Sequence, residues 1–246
     1  MALSFIYNVI TTFRNVLYDN NFLPIYKSKI PVISVGNITA GGGGKTPTVY
    51  AIYQILDKEN RKPIVLAKGY KGKIKTPTLV NDNQTAYEIG DEAFLLHQKG
   101  CKVVSANNKV DGAKFIDEAL EAGVVIVDDG FQHRALHRDL DLVLIDVSTD
   151  KAIANFRSGR LLPFGRLREN KNKAFKRADA VIFSHKNTFS EGKINQFKID
   201  KIPVFNSYYS EKNLPKKNKN LVLFCGIENP DSFFNSIESK GYKVIS

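Results

Sequence analysis

The 246-residue sequence lacks tryptophan and has only one methionine, two cysteines and four histidines. A disulfide framework or a cysteine- and histidine-rich metal site is therefore not expected. Cys101 and Cys225 both lie in apolar, strand-like runs and are predicted to be buried thiols in a reducing compartment. No apolar run reaches the roughly 20 residues that a membrane-spanning helix requires. The sequence has no basic segment followed by a small-residue cleavage site, so a secretory signal is not expected.

Acidic residues are also scarce, because 25 Asp and Glu against 36 Lys and Arg leave a formal net charge of +11. Such an excess favours an anionic partner: nucleic acid, acidic lipid or a phosphorylated substrate. The sequence contains no nucleic-acid recognition motif and no basic stretch interleaved with aromatic residues, so no nucleic-acid partner is expected. The lysine-rich run 212–220 is interpreted as a solvated linker.

Apolar side chains recur at helical spacing near the N-terminus. Arg14 is the only charged side chain before Asp19, and the pattern predicts an amphipathic helix. Two interpretations are open: the helix packs on its own domain, or it lies in the surface of a membrane. The apolar positions are Leu3, Phe5, Ile6, Val9, Ile10, Phe13, Val16 and Leu17.

After this helix, short β-branched runs alternate with helical patterns. This alternation predicts an α/β fold with a mostly parallel sheet covered by helices on both faces. Strands are expected within 30–36, 62–69, 101–106, 123–130, 140–147, 178–184, 201–207 and 221–227, and helices from 46 or 47, at 90–99, at 111–122 and within 229–241. The chain stops soon after a further strand begins at 242, so we expect either an abrupt end or a fragment.

A glycine-rich stretch, VGNITAGGGGKTP, lies between the first predicted strand and the next helix. Gly44, Lys45 and Thr46 supply the second half of the P-loop pattern G-x-x-x-x-G-K-[ST], while Thr39 occupies the position of its first glycine. The loop N–H groups, the helix N-terminus and the Lys45 ammonium form an anion site, and the Thr46 hydroxyl can bind magnesium. The predicted ATP-binding residues are Thr39, Ala40, Gly41, Gly42, Gly43, Gly44, Lys45 and Thr46.

Two adjacent carboxylates, Asp128 and Asp129, follow the apolar run VVIV. P-loop enzymes hold magnesium at this position, the carboxyl end of a strand beside the phosphate loop. One of the two is expected to reach the metal together with Thr46, and the sequence leaves open which. Asp146, at the end of the run LVLID, is interpreted as structural. ATP and Mg²⁺ are the predicted cofactors.

Five segments together resemble the motifs of the tetraacyldisaccharide 4′-kinase family of lipid A biosynthesis. In chain order they are VGNITAGGGGKTP, AKGYKGK, GDEAFLL, VDDGFQHRALHRDLDLVLID and SGRLLPFGRLRE. The resemblance extends from the N-terminal helix to about residue 185 and is weaker beyond it. A threonine at the first P-loop position, here Thr39, is usual in that family.

The resemblance implies transfer of the ATP γ-phosphate to the 4′-hydroxyl of a lipid disaccharide 1-phosphate, giving lipid IVA. It also implies a peripheral, monotopic enzyme on the cytoplasmic face of the bacterial inner membrane, which favours the interfacial interpretation of the first helix. A lipid substrate and an anionic membrane surface suit the basic charge. The implied divisions are a membrane-associated helix at 1–28, a P-loop kinase domain at 29–210, and a linker with the start of an incomplete C-terminal lobe at 211–246.

The resemblance also implies roles for single residues. Asp91 matches the family's catalytic aspartate and would act as the base toward the sugar hydroxyl. By its local sequence alone, Asp91 is better explained as a helix N-cap that is followed by a first-turn acid, Glu92. Lys45 is the second predicted catalytic residue, since it would bind the β- and γ-phosphates. Basic residues predicted to bind substrate are Lys68, Lys109, His133, Arg160 and Arg168.

Three departures from the family pattern bear on activity. Lys68 and Lys109 stand where the family has arginine, which keeps the charge but loses the bidentate fork. Family members also continue beyond this chain's end into a lobe with a histidine that partners the catalytic aspartate, so a catalytically incompetent fragment is one alternative. A membrane-associated P-loop nucleotide switch is another. Switches of the partitioning-ATPase type carry a further lysine where this chain has Ala40, which argues against that class.

Overall fold

The computed structural model describes residues 2–41, 43–69, 72–186, 197, 199, 202–209, 220–225 and 230–245. Its helices are α1 (Ala2–Asp19), α2 (Lys45–Lys58), α3 (Ala86–Ile89), α4 (Asp91–Gln98), α5 (Lys109–Ala119), α6 (Asp150–Ser158), α7 (Lys171–Phe175) and α8 (Pro230–Ser239). Its strands are β1 (Val32–Asn37), β2 (Pro63–Lys68), β3 (Thr78–Leu79), β4 (Val103–Ala106), β5 (Val124–Asp128), β6 (Leu140–Asp146), β7 (Ala180–Lys186), β8 (Val204–Tyr208), β9 (Asn220–Leu221) and β10 (Lys243–Val244).

The main sheet has eight strands in the order β3-β4-β2-β5-β1-β6-β7-β8. All of its strand pairs are parallel except β3 with β4. This confirms the predicted mostly parallel sheet. β1 lies between β5 and β6, and Val35 pairs in register with Asp128. The P-loop and the carboxylate pair therefore leave the same edge of the sheet on neighbouring strands.

Both faces of the sheet are packed with apolar side chains, as its β-branched strands require. On β2, Val65 packs in one buried cluster with Val49 of α2 and Leu96 of α4. The next residue, Leu66, packs in another cluster with Ile116 of α5. Successive side chains thus point to opposite faces, and α2 and α4 cover one face while α5 covers the other. This arrangement holds the loops at the carboxyl edge of the sheet.

Each predicted apolar run overlaps a strand, and most of the strands are shorter than the runs. The short elements β3, α3, α6 and α7 were not predicted, because brief segments carry too little periodic pattern. In the run predicted at 221–227, only Leu221, the second residue of β9, is described as a strand, and 226 and 227 lie outside the described residues. β9 pairs with β10 in a separate two-stranded parallel sheet.

The two cysteines differ from each other in burial. Cys101 is buried, and burial raises the pKa of its thiol to about 11. Cys225 is only partly buried, so the prediction of a buried thiol is wrong there. Cys225 follows the short strand β9, where a two-stranded sheet offers little apolar cover. Neither cysteine forms a disulfide, as predicted.

Helix α1 docks through its polar side chains and turns its apolar side chains outward. The Ser4 hydroxyl donates to the Leu161 carbonyl at 3.1 Å, and the Tyr7 hydroxyl donates to the Arg168 carbonyl at 2.8 Å. Within the described residues, no helix combines the length and hydropathy needed to traverse a bilayer. The exposed apolar face of α1 consists of Leu3, Phe5, Ile6, Val9, Ile10, Phe13 and Val16.

Candidate nucleotide and phosphate site

The P-loop joins β1 to α2 through Gly44, whose backbone conformation residues with a side chain rarely adopt. Gly44 has φ +81°, in the left-handed region, and a Cβ placed on it would lie 2.8 Å from the Ser184 hydroxyl oxygen. Among the described residues, no side-chain hydrogen bond caps the N-terminus of α2. The first N–H groups of the helix are therefore left without a side-chain acceptor, which is the arrangement that binds phosphate.

Asn37, the last residue of β1, supports both the loop and the lysine. Its amide nitrogen donates to the Gly41 carbonyl at 3.2 Å, and its Oδ1 accepts from the Lys45 ammonium at 3.3 Å. The Ala40 N–H donates to the Arg166 carbonyl at 2.7 Å. The P-loop is thus supported by its own strand on one side and by the segment around Arg166 on the other.

The two adjacent aspartates occupy different environments. Asp128 is 2% exposed, and among the described residues its Oδ1 has no hydrogen-bond partner. Burial raises the pKa of this carboxyl to about 6, although Lys109 and Lys45 act in the opposite direction. Asp129, at φ 52°, accepts from Arg168 Nη1 with both oxygens at 3.0 Å and lies 3.6 Å from the Lys45 ammonium. Burial opposes ionisation of Asp129, but Lys45 and Arg168 outweigh burial and lower its pKa.

The carboxylate and hydroxyl oxygens of this site fit a magnesium ion held jointly by protein and nucleotide. Magnesium usually takes one or two carboxylates plus substrate phosphates and water, not a full cage of protein ligands. The described part of the chain contains no cluster of three or more His, Cys, Asp or Glu side chains suited to a metal. Oδ1 of Asp128, which has no hydrogen-bond partner among the described residues, is a better metal ligand than Asp129, whose oxygens already accept from Arg168. Thr46 lies half-buried in the first turn of α2.

Asp146, at the end of β6, accepts from both the N–H and the hydroxyl of Ser148, at 2.9 and 2.6 Å. These bonds close a local turn after the strand. The geometry agrees with the structural interpretation of this carboxylate.

Asp91 is the exposed first residue of α4, and among the described residues its carboxylate makes no hydrogen bond. Its neighbour Glu92 raises the pKa of Asp128 and opposes the lowering of the pKa of Lys109. The first turn of α4 therefore acts electrostatically on the carboxylate site. The sequence predicted no electrostatic role for Glu92 beyond its place next to Asp91.

Lys109 and His133 lie together behind the carboxylates. The Lys109 ammonium is fully buried and donates to the Leu66 carbonyl at 2.9 Å, and burial lowers its pKa to about 8. Burial, together with the Lys109 charge, lowers the pKa of His133 to about 4. Both residues line a cavity of about 230 Å³, whose other walls are Asn107, Asn108, Val110, Ala135 and Leu136.

The remaining basic residues occupy three positions. Arg168 lies in the site, on Asp129. Lys68, exposed at the end of β2, lowers the pKa of both Lys109 and His133. Arg160 is exposed, and it joins the neighbouring loop through its carbonyl, which accepts from the Leu167 N–H at 3.1 Å. Substrate binding by these side chains stays a prediction.

Two residues of the site were not predicted, Gln132 and Glu169. The Gln132 amide nitrogen donates to the Asn37 carbonyl at 3.0 Å and to Glu169 Oε1 at 3.2 Å, while its Oε1 accepts from Arg168 at 3.3 Å. Glu169 is 2% exposed and pairs with Arg177 at 2.8 Å. Two features of the sequence could have indicated them: the amide side chain of Gln132 within DDGFQHR, and Glu169 as the one carboxylate in the basic segment GRLLPFGRLRE.

Together, a glycine-rich strand-to-helix turn, its lysine and a buried carboxylate on the adjacent parallel strand define a P-loop nucleotide-binding protein. The chain belongs to the tetraacyldisaccharide-1-P 4′-kinase family, because that family's model matches residues 1–246.

Individual relatives agree with this assignment. The tetraacyldisaccharide 4′-kinase of Desulfotalea psychrophila is 34% identical over 99% of this chain, which covers 74% of that protein. The corresponding kinase of Aquifex aeolicus is also 34% identical over 99% of the chain, which covers 78% of it. A crystal structure of LpxK from Aquifex aeolicus in complex with ATP gives a TM-score of 0.80 at 32% identity, over 99% of this chain and 78% of that one.

Proposed function

We propose that this chain transfers the γ-phosphate of ATP to the 4′-hydroxyl of tetraacyldisaccharide 1-phosphate, which produces the 1,4′-bisphosphate lipid IVA. The observation that carries the proposal is the pairing of Lys45 and Arg168 on Asp129 beside an uncapped α2 N-terminus. That arrangement combines the N–H donors of a helix N-terminus with two cations, which is the combination that binds a phosphate group. The match of the whole chain to the kinase family and the ATP complex of the Aquifex relative support it.

In this proposal each part of the site neutralises or orients phosphate. Lys45 and the loop N–H groups bind the β- and γ-phosphates. Asp128 and the Thr46 hydroxyl would hold Mg²⁺, which would neutralise charge on the β- and γ-phosphate oxygens. Arg168 faces the same region, and Asp129 and Gln132 fix its guanidinium. These groups stabilise charge on the transferred phosphoryl group.

Asp91 is the proposed base. Its carboxylate is solvent-accessible and is not held in an ion pair or hydrogen bond among the described residues. It is therefore able to accept the proton of an incoming sugar hydroxyl. Its place in the first turn of α4, next to Glu92, puts it on the helix end whose charges act on Asp128.

The outward apolar face of α1 supports a membrane location for the enzyme. An exposed stripe of leucine, isoleucine, valine and phenylalanine is unfavourable in water and is suited to the headgroup–acyl boundary. The net charge of +11 favours an anionic leaflet. We therefore place the enzyme peripherally on the cytoplasmic face of the inner membrane, with residues 1–28 as the membrane-associated part, 29–210 as the kinase domain and 211–246 as a linker and further lobe.

The test is an assay with γ-labelled ATP, magnesium and tetraacyldisaccharide 1-phosphate in mixed micelles. Label in the lipid is expected, and Lys45→Ala should abolish it together with the ATP-dependent rise in Tm. Exposed Lys62→Ala is the matched control, since Lys62 contacts Glu121 and precedes β2, at the edge of the sheet opposite to the P-loop. Label that stays in bound ATP would contradict the proposed reaction. Label released only as free phosphate would instead support a nucleotide switch.

A further inference from the structure

The segment Arg166–Glu169 lies against the P-loop. The Ala40 N–H donates to the Arg166 carbonyl at 2.7 Å, and the Arg168 N–H donates to the Ile38 carbonyl at 2.8 Å. Thr39 and Leu167 form an antiparallel bridge between these two bonds. A displacement of this segment would therefore move the P-loop as well as the Arg168 guanidinium.

The other side of the segment is held by α1. The Tyr7 hydroxyl donates to the Arg168 carbonyl at 2.8 Å. The Asn15 amide nitrogen lies 3.4 Å from Glu169 Oε2, a long contact made inside the protein, where Asn15 is 6% and Glu169 is 2% exposed. Both contacts come from the face of α1 that is opposite to its exposed apolar stripe.

From Glu169 the hydrogen bonds continue to the phosphate site. Glu169 Oε1 accepts from Gln132, whose Oε1 accepts from Arg168, and Arg168 Nη1 donates to both oxygens of Asp129. Gln132 also donates to the carbonyl of Asn37, the residue that binds Lys45. A continuous series of polar contacts thus joins α1 to the two cations of the site.

We propose that Tyr7 and Asn15 are positioning residues for phosphoryl transfer: they hold the segment Arg166–Glu169 so that Arg168 and Asp129 keep their geometry beside Lys45. The inference rests on the proposed kinase function. In it, α1 is part of the frame of the active site as well as a membrane-contacting element. Because a misplacement of about 1 Å can cost on the order of 100-fold in rate, small changes in α1 should appear in kcat.

Two conservative variants with matched controls test this. Tyr7→Phe removes one hydroxyl, and Tyr18→Phe is its control, because Tyr18 contacts Arg134 through its ring. Asn15→Ala removes the amide, and Asn8→Ala is its control, because among the described residues the Asn8 side chain bonds within α1, to Thr12. In the mixed-micelle assay we expect kcat to fall about ten-fold for Tyr7→Phe and Asn15→Ala. KM for the lipid should stay unchanged, and both controls should match the wild type.

A double-mutant cycle separates positioning from general destabilisation. If Asn15 acts through Glu169 and Gln132, Asn15→Ala should have little further effect on kcat in a Gln132→Ala background. Losses that multiply independently would overturn the proposal, as would wild-type kcat in both α1 variants or a defect confined to KM for the lipid. Measured Tm values show whether each variant is folded.

A second readout does not depend on the lipid reaction. The affinity for Mg·ATP, measured from the ligand-dependent rise in Tm, should weaken several-fold in Tyr7→Phe and Asn15→Ala relative to their controls. If the wild type binds Mg·ATP but labels no lipid, the proposed reaction fails, and this affinity alone decides the positioning role. Equal affinities in variants and controls would then refute it.

Discussion

At the scale of single residues, Asp128 and Asp129 show how one step along the chain changes a carboxylate. Asp128 ends a buried strand, and burial raises its pKa to about 6. Asp129 turns into the left-handed region, where it meets Arg168 and Lys45, which lower its pKa. Among the described residues, Oδ1 of the first has no hydrogen-bond partner and is suited to a cation, and the second anchors the arginine.

Asp128→Asn should stabilise the ligand-free protein and weaken magnesium-dependent ATP binding. A raised folded-state pKa means that ionisation of Asp128 costs stability above pH about 6 and costs nothing below about 4. At pH 7.5 the neutral amide should therefore raise the free energy of unfolding by about 3 kcal/mol. Urea unfolding with a chelator measures this value. Asp129→Asn is the control with the opposite sign, since it breaks two ion pairs, and destabilisation by Asp128→Asn would contradict the assignment.

His133 should make the protein less stable in acid. Its folded pKa of about 4 lies below its unfolded value, so the unfolded chain binds a proton first as the pH falls. Its contribution to stability is present above pH about 6.5 and is lost toward about 4. Between pH 7 and 5 we expect a loss of about 1 kcal/mol, after allowance for partial solvent screening. His133→Gln should show a correspondingly smaller drop in the urea midpoint; an identical drop would mean that the imidazole is not held neutral.

At the scale of elements, α1 has two faces with different functions. Its polar residues bond to the segment before α7, and its apolar residues face outward. The apolar periodicity predicted the helix but not the direction of its faces. Packing on the domain and lying in a membrane surface are compatible here, because the described hydrogen bonds from α1 to the domain come from its polar face, while its apolar face is exposed.

Phe13→Glu should weaken binding to anionic vesicles while leaving the fold and ATP affinity intact. Phe13 is 63% exposed, so the substitution disturbs no core contact. Losing the Phe13 ring from the membrane interface should cost about 2 kcal/mol of binding free energy, or roughly 30-fold in partitioning. Vesicle co-sedimentation measures it. Ile55→Glu on α2, where Ile55 is 62% exposed, is the matched control, and an equal loss in that control would count against α1 as the membrane-contacting face.

At the scale of the whole molecule, basic charge and an apolar helix face act together on the same partner. A net charge of +11 attracts an anionic leaflet at long range, while the stripe on α1 acts only on contact. The two contributions should differ in their response to salt.

Raising sodium chloride from about 50 to about 500 mM should reduce binding to anionic vesicles without abolishing it, because salt screens charge but not apolar burial. Binding to neutral vesicles should be weaker and nearly independent of salt. Phe13→Glu should lose most of the fraction that resists salt. Full release of the wild type at high salt would show that charge alone attaches the protein.

The sequence by itself determined the local parts: buried strands from β-branched runs, the phosphate loop from GGGGKT, the adjacent carboxylates and the amphipathic helix. Local pattern is sufficient there, because backbone geometry and periodicity follow from near neighbours. Only the tertiary structure decided that Asp128 is left unpaired while Asp129 holds Arg168, that Cys225 is partly exposed, and that Gln132 and Glu169 join α1 to the site. Those outcomes depend on which distant segments meet at the edge of the sheet, and burial and charge pairing act through space and not along the chain.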